Sequence, residues 1–400
     1  MSRNSRTVLI AGGGITGLTA GLALARAGFR VDLFEQAEGF ETIGAGLQLS
    51  PNALAVLDGL GLLHRIKTVA VGPTAIRVMS ATSGREIVRI PLGHHAVERY
   101  GRPYLVIHRA DLQQVLASAC ADDPDVTLHM AASVDDVAAH ANGVTALVNQ
   151  GSQMTEFSGI GLVAADGVWS RLRNVHFDAR PSVYSGLAAW RALIAAERLP
   201  GSQDMESVQL WLAPNAHAVS YPVRHGQHLN VVVVLAALQA PQGWTDRGEV
   251  GELRQALAGW SPAFAGLLDH KARWTRWPLH AAPRLRRWSE GPTALAGDAA
   301  HAMLPFAAQG AAMGIEDAAV IARCLKAAHE NGGDASAAFA AYEGERRRRA
   351  ARAGRLALAN RYLYHLPRPL DLARNLAMQA IGGRRLLARQ DWLYGWKPAP

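Results

Sequence analysis

Two glycine-bearing turns and a few polar side chains between them hold the chemistry this chain can be read to perform. Gly12, Gly14 and Gly17 stand in GGGITG, and Glu35 follows 18 residues after Gly17. In that order the first glycine permits a tight turn and the second lets the backbone approach a pyrophosphate. The third allows close helix–strand packing, and the carboxylate can accept hydrogen bonds from a ribose. A second turn comes late, as Gly297-Asp298 followed by Pro305 to Gly310. Asp298 is a carboxylate suited to a polyol, and a helix opening near Gly310 presents N–H groups and a positive dipole end to an electron-rich ring. One nucleotide site needs only the first turn. FAD needs both, with adenosine at the first and ribityl-flavin at the second.

Between the turns lie residues with two readings each. Gln48, in a glycine-containing loop before Pro51, is either aimed at a polar ring edge or part of an ordinary connection. Arg109 opens a helix after the strand Tyr104-Leu105-Val106-Ile107 and can clamp a phosphate or flavin edge, or pair with Asp111 on the surface. Asp166-Gly167, followed by Ser170, Arg171 and Arg173, reads as a polar cluster over a phosphate or as a plain turn. His217, Val219 and Tyr221 share one face of a strand, because side chains alternate with period 2. Two hydrogen-bonding groups on one sheet face point to a lined pocket, although a lone histidine on a sheet is commonly structural.

The elements that must position these groups are legible. Thr7 to Glu35 reads as strand, glycine turn, helix to about Ala27, strand and acid. Residues 76–90 read as a hairpin, and residues 126–147 as short strands turning at Asn142-Gly143. Val208–Ala213, Ala216–Val223 and Leu229–Leu235 read as an antiparallel meander, a different architecture from the opening βαβ unit. Helices fill the tail up to Asp391-Trp392-Leu393-Tyr394-Gly395-Trp396, whose aromatics should pack on the body.

Composition narrows the function classes. At 400 residues the chain exceeds a single core, so more than one domain is expected. Cys120 and Cys324 lie far apart without metal-type spacing, which argues against a disulfide framework or a metal site. No signal-peptide pattern or membrane-length apolar run occurs, so a soluble cytoplasmic protein with no membrane partner is expected. The net charge of +8 gathers in residues 345–400, which hold 13 Lys or Arg against 3 Asp or Glu. Without interleaved aromatics, the run Arg346 to Arg349 reads as a solvated helix face rather than a nucleic-acid tail.

Taken together, GGGITG with Glu35, GAGLQLSPNA, IHRADL, ADGVWSRLR, GDAAHAMLPFAAQGAAMGIEDA and the terminal DWLYGW resemble the single-component FAD-dependent aromatic hydroxylases. This is the group that contains p-hydroxybenzoate hydroxylase, and the likeness runs to its salicylate hydroxylase and 3-hydroxybenzoate 6-hydroxylase branch. The resemblance implies an α/β fold: a Rossmann-like FAD-binding domain from residues 1–73, 100–180 and 275–325, with an inserted mixed β-sheet substrate domain from 74–99 and 181–274. A C-terminal helical region, 326–400, completes it. It implies that Glu35 binds the adenosine ribose, Val134 offers its backbone to adenine, and Arg109 contacts FAD. Asp298 would hold the ribityl chain, Gly310 and Ala311 would cover the pyrimidine edge, and Asp166 would meet both FAD and NAD(P)H.

The implied chemistry is flavin reduction by NAD(P)H, with NADH the slight favourite, then O2 addition as a C4a-hydroperoxide and attack by an activated phenol. In this branch a His-x-x-x-Tyr-Pro strand carries the base, here His217 to Pro222, with Tyr221 orienting the substrate. A histidine of ordinary pKa near 6.5 suits that task. Two departures stand out. Pro305 occupies a position where gentisate-forming relatives have glutamine, and the usual Pro-x-x-Gly-Gln-Gly has Ala308 in place of its first glycine, which is expected to reshape the loop. The expected substrate is a hydroxybenzoate or hydroxylated nitrogen heterocycle, and the expected assembly a monomer or homodimer. The rival readings are a flavin epoxidase on a polyketide or quinone precursor, and a nucleotide-sensing or nucleic-acid-binding protein with a basic tail.

Overall fold

A computed structural model describes residues 6–40, 45–151, 153–177, 181–199, 201–237, 246–268, 272–282 and 285–399. Gly44 of the first glycine loop lies outside the described residues. The apolar run Thr7–Ala11 forms the centre of a six-stranded sheet, with every residue buried. It pairs in parallel with Arg30–Phe34 on one side and Gly161–Ala164 on the other, and the latter pairs in parallel with Thr293–Leu295. In register, Phe34, Ala11, Ala164 and Leu295 lie level across four strands. Chain leaving them emerges along one carboxyl edge: Glu35, Gly12 to Gly14, Asp166 and Asp298. That edge is where open parallel α/β sheets bind ligands.

The second layer is an eight-stranded sheet. Its strands run in the order Asp246–Arg247, Thr275–Ala281, Val183–Ala195, His228–Ala236, Ala216–Val223, Ser207–Ala213, Ala75–Ser80 and Glu86–Pro91. Its pairings are antiparallel except between Ser207–Ala213 and Ala75–Ser80, so the meander read from the sequence sits in a mixed sheet. Thr275–Ala281 was expected with the nucleotide-binding segments, yet it pairs along Val183–Ala195 in this second sheet. Among the described residues no helix is long and apolar enough to cross a membrane, and no group of ligand residues could hold a metal ion. Cys120 and Cys324 are buried free thiols.

The arginine run of the helix Ala335–Tyr364 corrects the expectation of a solvated face. Arg346 is fully buried, with ion pairs to Glu316 and Asp317, and Arg349 pairs with Glu316 at 2.6 Å. The helix buries Phe339, Tyr342, Arg346, Ala350, Ala353 and Ala357, a stripe at spacings of three and four that places Arg346 on the core face. The cause is the pair of carboxylates facing it from the helix Gly310–Glu330, each with no exposed surface. Glu316 also accepts from Asn52 Nδ2 at 2.6 Å, Asn52 meets Gln309 at 3.2 Å, and Gln309 donates to Ser50 at 2.9 Å. Arg349 further donates to the carbonyls of Trp392 and Leu393, both at 2.9 Å, and Arg352 lies 3.9 Å over the Trp392 ring. The terminal aromatics thus dock on a buried polar network that fastens four remote segments beneath the second glycine turn.

Candidate active site

The first turn closes by near contact. A Cβ on Gly17 would stand 1.9 Å from the Gly12 carbonyl oxygen, so only glycine lets helix and strand meet there. A Cβ on Gly14 would meet nothing within 4 Å, which leaves open space at the start of the helix Ile15–Arg26. Beside it the Glu35 carboxylate accepts from Gly13 N at 2.7 Å and Ala37 N at 2.9 Å. The acid is therefore held against the glycine turn with lone pairs to spare.

Asp166 and Asp298 stand along the same edge. One oxygen of Asp166 is buried without a partner, the other accepts from Leu172 N at 3.4 Å, and burial raises its pKa. The Asp298 residue has exposed surface, yet desolvation by the surrounding chain raises its pKa against the lowering pull of His301, Arg109 and Arg173. Its Oδ1 lies 3.8 Å from where a Cβ of Gly310 would be, at the first turn of the long helix. Arg109 is exposed at the start of the helix Arg109–Ala121. The pairing with Asp111 does not form, because Asp111 is taken by Arg224 at 3.4 Å and faces His108 at 3.7 Å. Arg173 turns inward, fully buried, and donates to the carbonyls of Val168 and Ala299, tying the two aspartate loops together.

In the loop before Gly310 an alanine stands where the usual pattern has a glycine. Ala308 itself takes the left-handed conformation, with φ +51° and ψ +37°, at a cost of about 1 kcal/mol. Phe306 in that loop packs against His217 with ring centroids 4.9 Å apart, so the loop and the eight-stranded sheet meet directly. Gln48 does not stand free, because it accepts the Tyr104 hydroxyl at 2.6 Å. Val134 lies in the strand Ser133–His140 of a separate three-stranded sheet, just before a bulge.

His217 and Tyr221 are both buried on the face that sequence alternation assigned to them. The backbone crosses Tyr221 so closely that a Cβ on Gly46 would stand 2.5 Å from its ring. Gly46 N donates to Asn230 Oδ1 at 2.8 Å, and Asn230 lies opposite Tyr221. The expected base of pKa near 6.5 is not what the fold builds. Burial, with His365 beside it, holds His217 well below that value, and burial raises the Tyr221 hydroxyl.

Two residues escaped the sequence reading. His365, just past the end of the helix Ala335–Tyr364, places Nε2 2.9 Å from His217 Nδ1. Arg191 shares the face of His217, since it lies opposite Val232, which lies opposite Val219. It forms no ion pair among the described residues, its Nε is buried without a partner, and its guanidinium lies 4.4 Å over Trp277. Burial pushes its pKa down to about 10, with Arg109 adding repulsion. The signal available beforehand was an arginine inside an apolar strand, Leu187 to Ile194.

Comparison with known proteins agrees with this geometry. Residues 5–357 match the family described as FAD binding domain. A 3-amino-4-hydroxybenzoate 2-monooxygenase of Streptomyces platensis is 36% identical over 402 residues, covering 100% of this chain and 98% of that protein. A 3-hydroxybenzoate 6-hydroxylase of Polaromonas naphthalenivorans is 34% identical, covering 97% of this chain and 96% of that protein. A solved salicylate hydroxylase substrate complex superposes with a TM-score of 0.83 at 26% identity, covering 99% of this chain and 97% of that one.

Proposed function

The chain belongs to the FAD binding domain family, and from that premise we propose that it hydroxylates a small hydroxy-aromatic carboxylate, using O2 and a reduced nicotinamide. It is a FAD-dependent aromatic monooxygenase. The residues fit the cofactor: open space faces Gly14, an orphaned Asp166 oxygen lines the edge, and Asp298 stands at the first turn of the Gly310 helix. FAD, when bound, supplies the hydride-accepting ring on which O2 is activated. Gly12, Gly14 and the first helical turn would receive its pyrophosphate, Glu35 its ribose, and the Val134 backbone its adenine. Arg109 and Asp166 would line its length, Asp298 would hold the ribityl chain, and Gly310 and Ala311 would cover the ring edge. On this reading the strand Thr275–Ala281 belongs with the substrate sheet and the six-stranded sheet with FAD.

The observation that carries the substrate class is Arg191, a guanidinium without an anionic partner on the face shared by His217 and Tyr221. A bound carboxylate restores its charge balance through a bidentate pair. The phenol at the other end of the substrate reaches His217, which is neutral near pH 7 and so has a lone pair to offer. Tyr221, kept protonated by burial, donates rather than accepts. This polar wall suits a benzoate better than an apolar polyketide.

Arg191→Met tests the assignment. The expected result is a KM for 3-hydroxybenzoate raised about 10–100-fold, the worth of a charge-assisted hydrogen bond, while turnover of 3-hydroxybenzamide stays near wild type. Equal losses for acid and amide would remove the anion from the proposal. For the cofactor, Glu35→Ala should weaken FAD retention by about tenfold or more in dialysis; unchanged retention would remove Glu35 from the ribose site.

A further inference from the structure

A phenol ionised beside the buried His217 leaves a proton behind, and neither Arg191 nor Tyr221 can take it. Arg191 is already charged, and Tyr221 is held protonated by burial. His217 accepts, but it is 4% exposed, caged by Phe306 and Tyr364 with ring centroids at 4.9 and 5.4 Å. Its Nδ1 lies in hydrogen-bond contact with His365 Nε2, 2.9 Å away.

We propose that His365 carries the substrate's phenolic proton from His217 to solvent, a role that rests on His217 being the proton acceptor. The phenolic O–H bond breaks with its electron pair left on oxygen, and the proton bonds to His217 Nε2. The proton already on His217 Nδ1 passes to His365 Nε2, and one leaves His365 Nδ1 for water. No electrons change hands, and both rings end neutral with their tautomers exchanged. His365 is well placed for this: it is only partly buried, Phe306 braces both rings, and its carbonyl accepts from Asn215 N at 3.3 Å.

The surroundings make the pair conduct rather than store. Around His365 stand His217, Tyr364 and the cations Arg361 and Arg374, with Asp371 beside Arg374. Burial and the two arginines push His365 down to about 4, and burial holds His217 well below 6.5. Neither ring keeps a second proton near pH 7, so a proton entering at one end must leave at the other.

The test uses FAD-loaded enzyme with 3-hydroxybenzoate and NADH. His365→Gln keeps an acceptor for His217 Nδ1–H but cannot relay a proton. It should retain FAD content and KM, lose about tenfold or more in kcat, and recover with added imidazole. Wild type in mixtures of H2O and D2O should give a bowed proton inventory, the mark of two protons in transit, and this measurement needs no variant to fold. Wild-type kcat in His365→Gln, or a loss that imidazole leaves untouched together with a linear inventory, overturns the relay. Slow His217→Ala beside unimpaired His365→Gln strikes out the relay alone. If His217→Ala also turns over normally, the acceptor assignment itself falls.

Discussion

Replacing His217 by alanine is expected to lower hydroxylation by about 10²–10⁴-fold, the usual worth of a positioned proton acceptor, with FAD content near wild type. A phenol of pKa about 10 is almost wholly protonated near pH 7 and a poor carbon nucleophile. Neither Arg191 nor Tyr221, on the same face, can take its proton. Arg191 carries one already, and burial stabilises the neutral Tyr221 hydroxyl. The substitution also opens a cavity against Phe306 and Tyr364, so His217→Asn, which fills most of the space, should accompany it. Single-turnover hydroxylation of 3-hydroxybenzoate, scored beside flavin absorbance, separates lost chemistry from lost folding. Turnover equal to wild type in either variant would remove His217 from the mechanism.

Arg346→Met should cost about 3–5 kcal/mol of stability, the price of leaving buried charges without a partner. Glu316 keeps Arg349, but Asp317 keeps only His301, 2.5 Å away, and the Gly297 N–H at 3.0 Å. The ion pairs with His301 and Arg346 hold the Asp317 carboxyl below its ordinary value. A carboxyl depressed in this way lends stability above the unfolded pKa of about 4, lost as pH falls through the lower folded value. The deficit in the variant should therefore be full at pH 7 and shrink in acid. Urea denaturation at pH 7 and pH 3.5 reads both. A loss under about 1 kcal/mol at pH 7 would show that the network contributes little.

The opening βαβ unit and the meander were legible because each depends on neighbours in sequence. An apolar strand, a glycine turn and a helix announce themselves locally, and period-2 alternation placed His217 and Tyr221 on one face without knowledge of the partner strands. Arg191 and His365 were opaque for the opposite reason. The first matters only through its register across two strands, and the second through a bond spanning 148 positions. In Arg346 to Arg349 four identical side chains meet different fates, since helix phase decides which faces the carboxylates. The stripe of Phe339, Tyr342, Ala350, Ala353 and Ala357 would have marked Arg346 as an inward position. At Ala308 the chain takes the left-handed conformation that the usual glycine adopts more easily, a backbone property no residue pattern states.

The carbonyls of Trp392 and Leu393 complete the coordination of Arg349, which in turn neutralises the carboxylate beneath the late glycine turn. During synthesis on the ribosome, the opening βαβ unit emerges hundreds of residues before that last aromatic segment does. The opening unit depends on residues near it in sequence, whereas Arg349 gains two of its acceptors only from residues 392 and 393. A chain lacking residues 392 and 393 leaves Arg349 short of two acceptors.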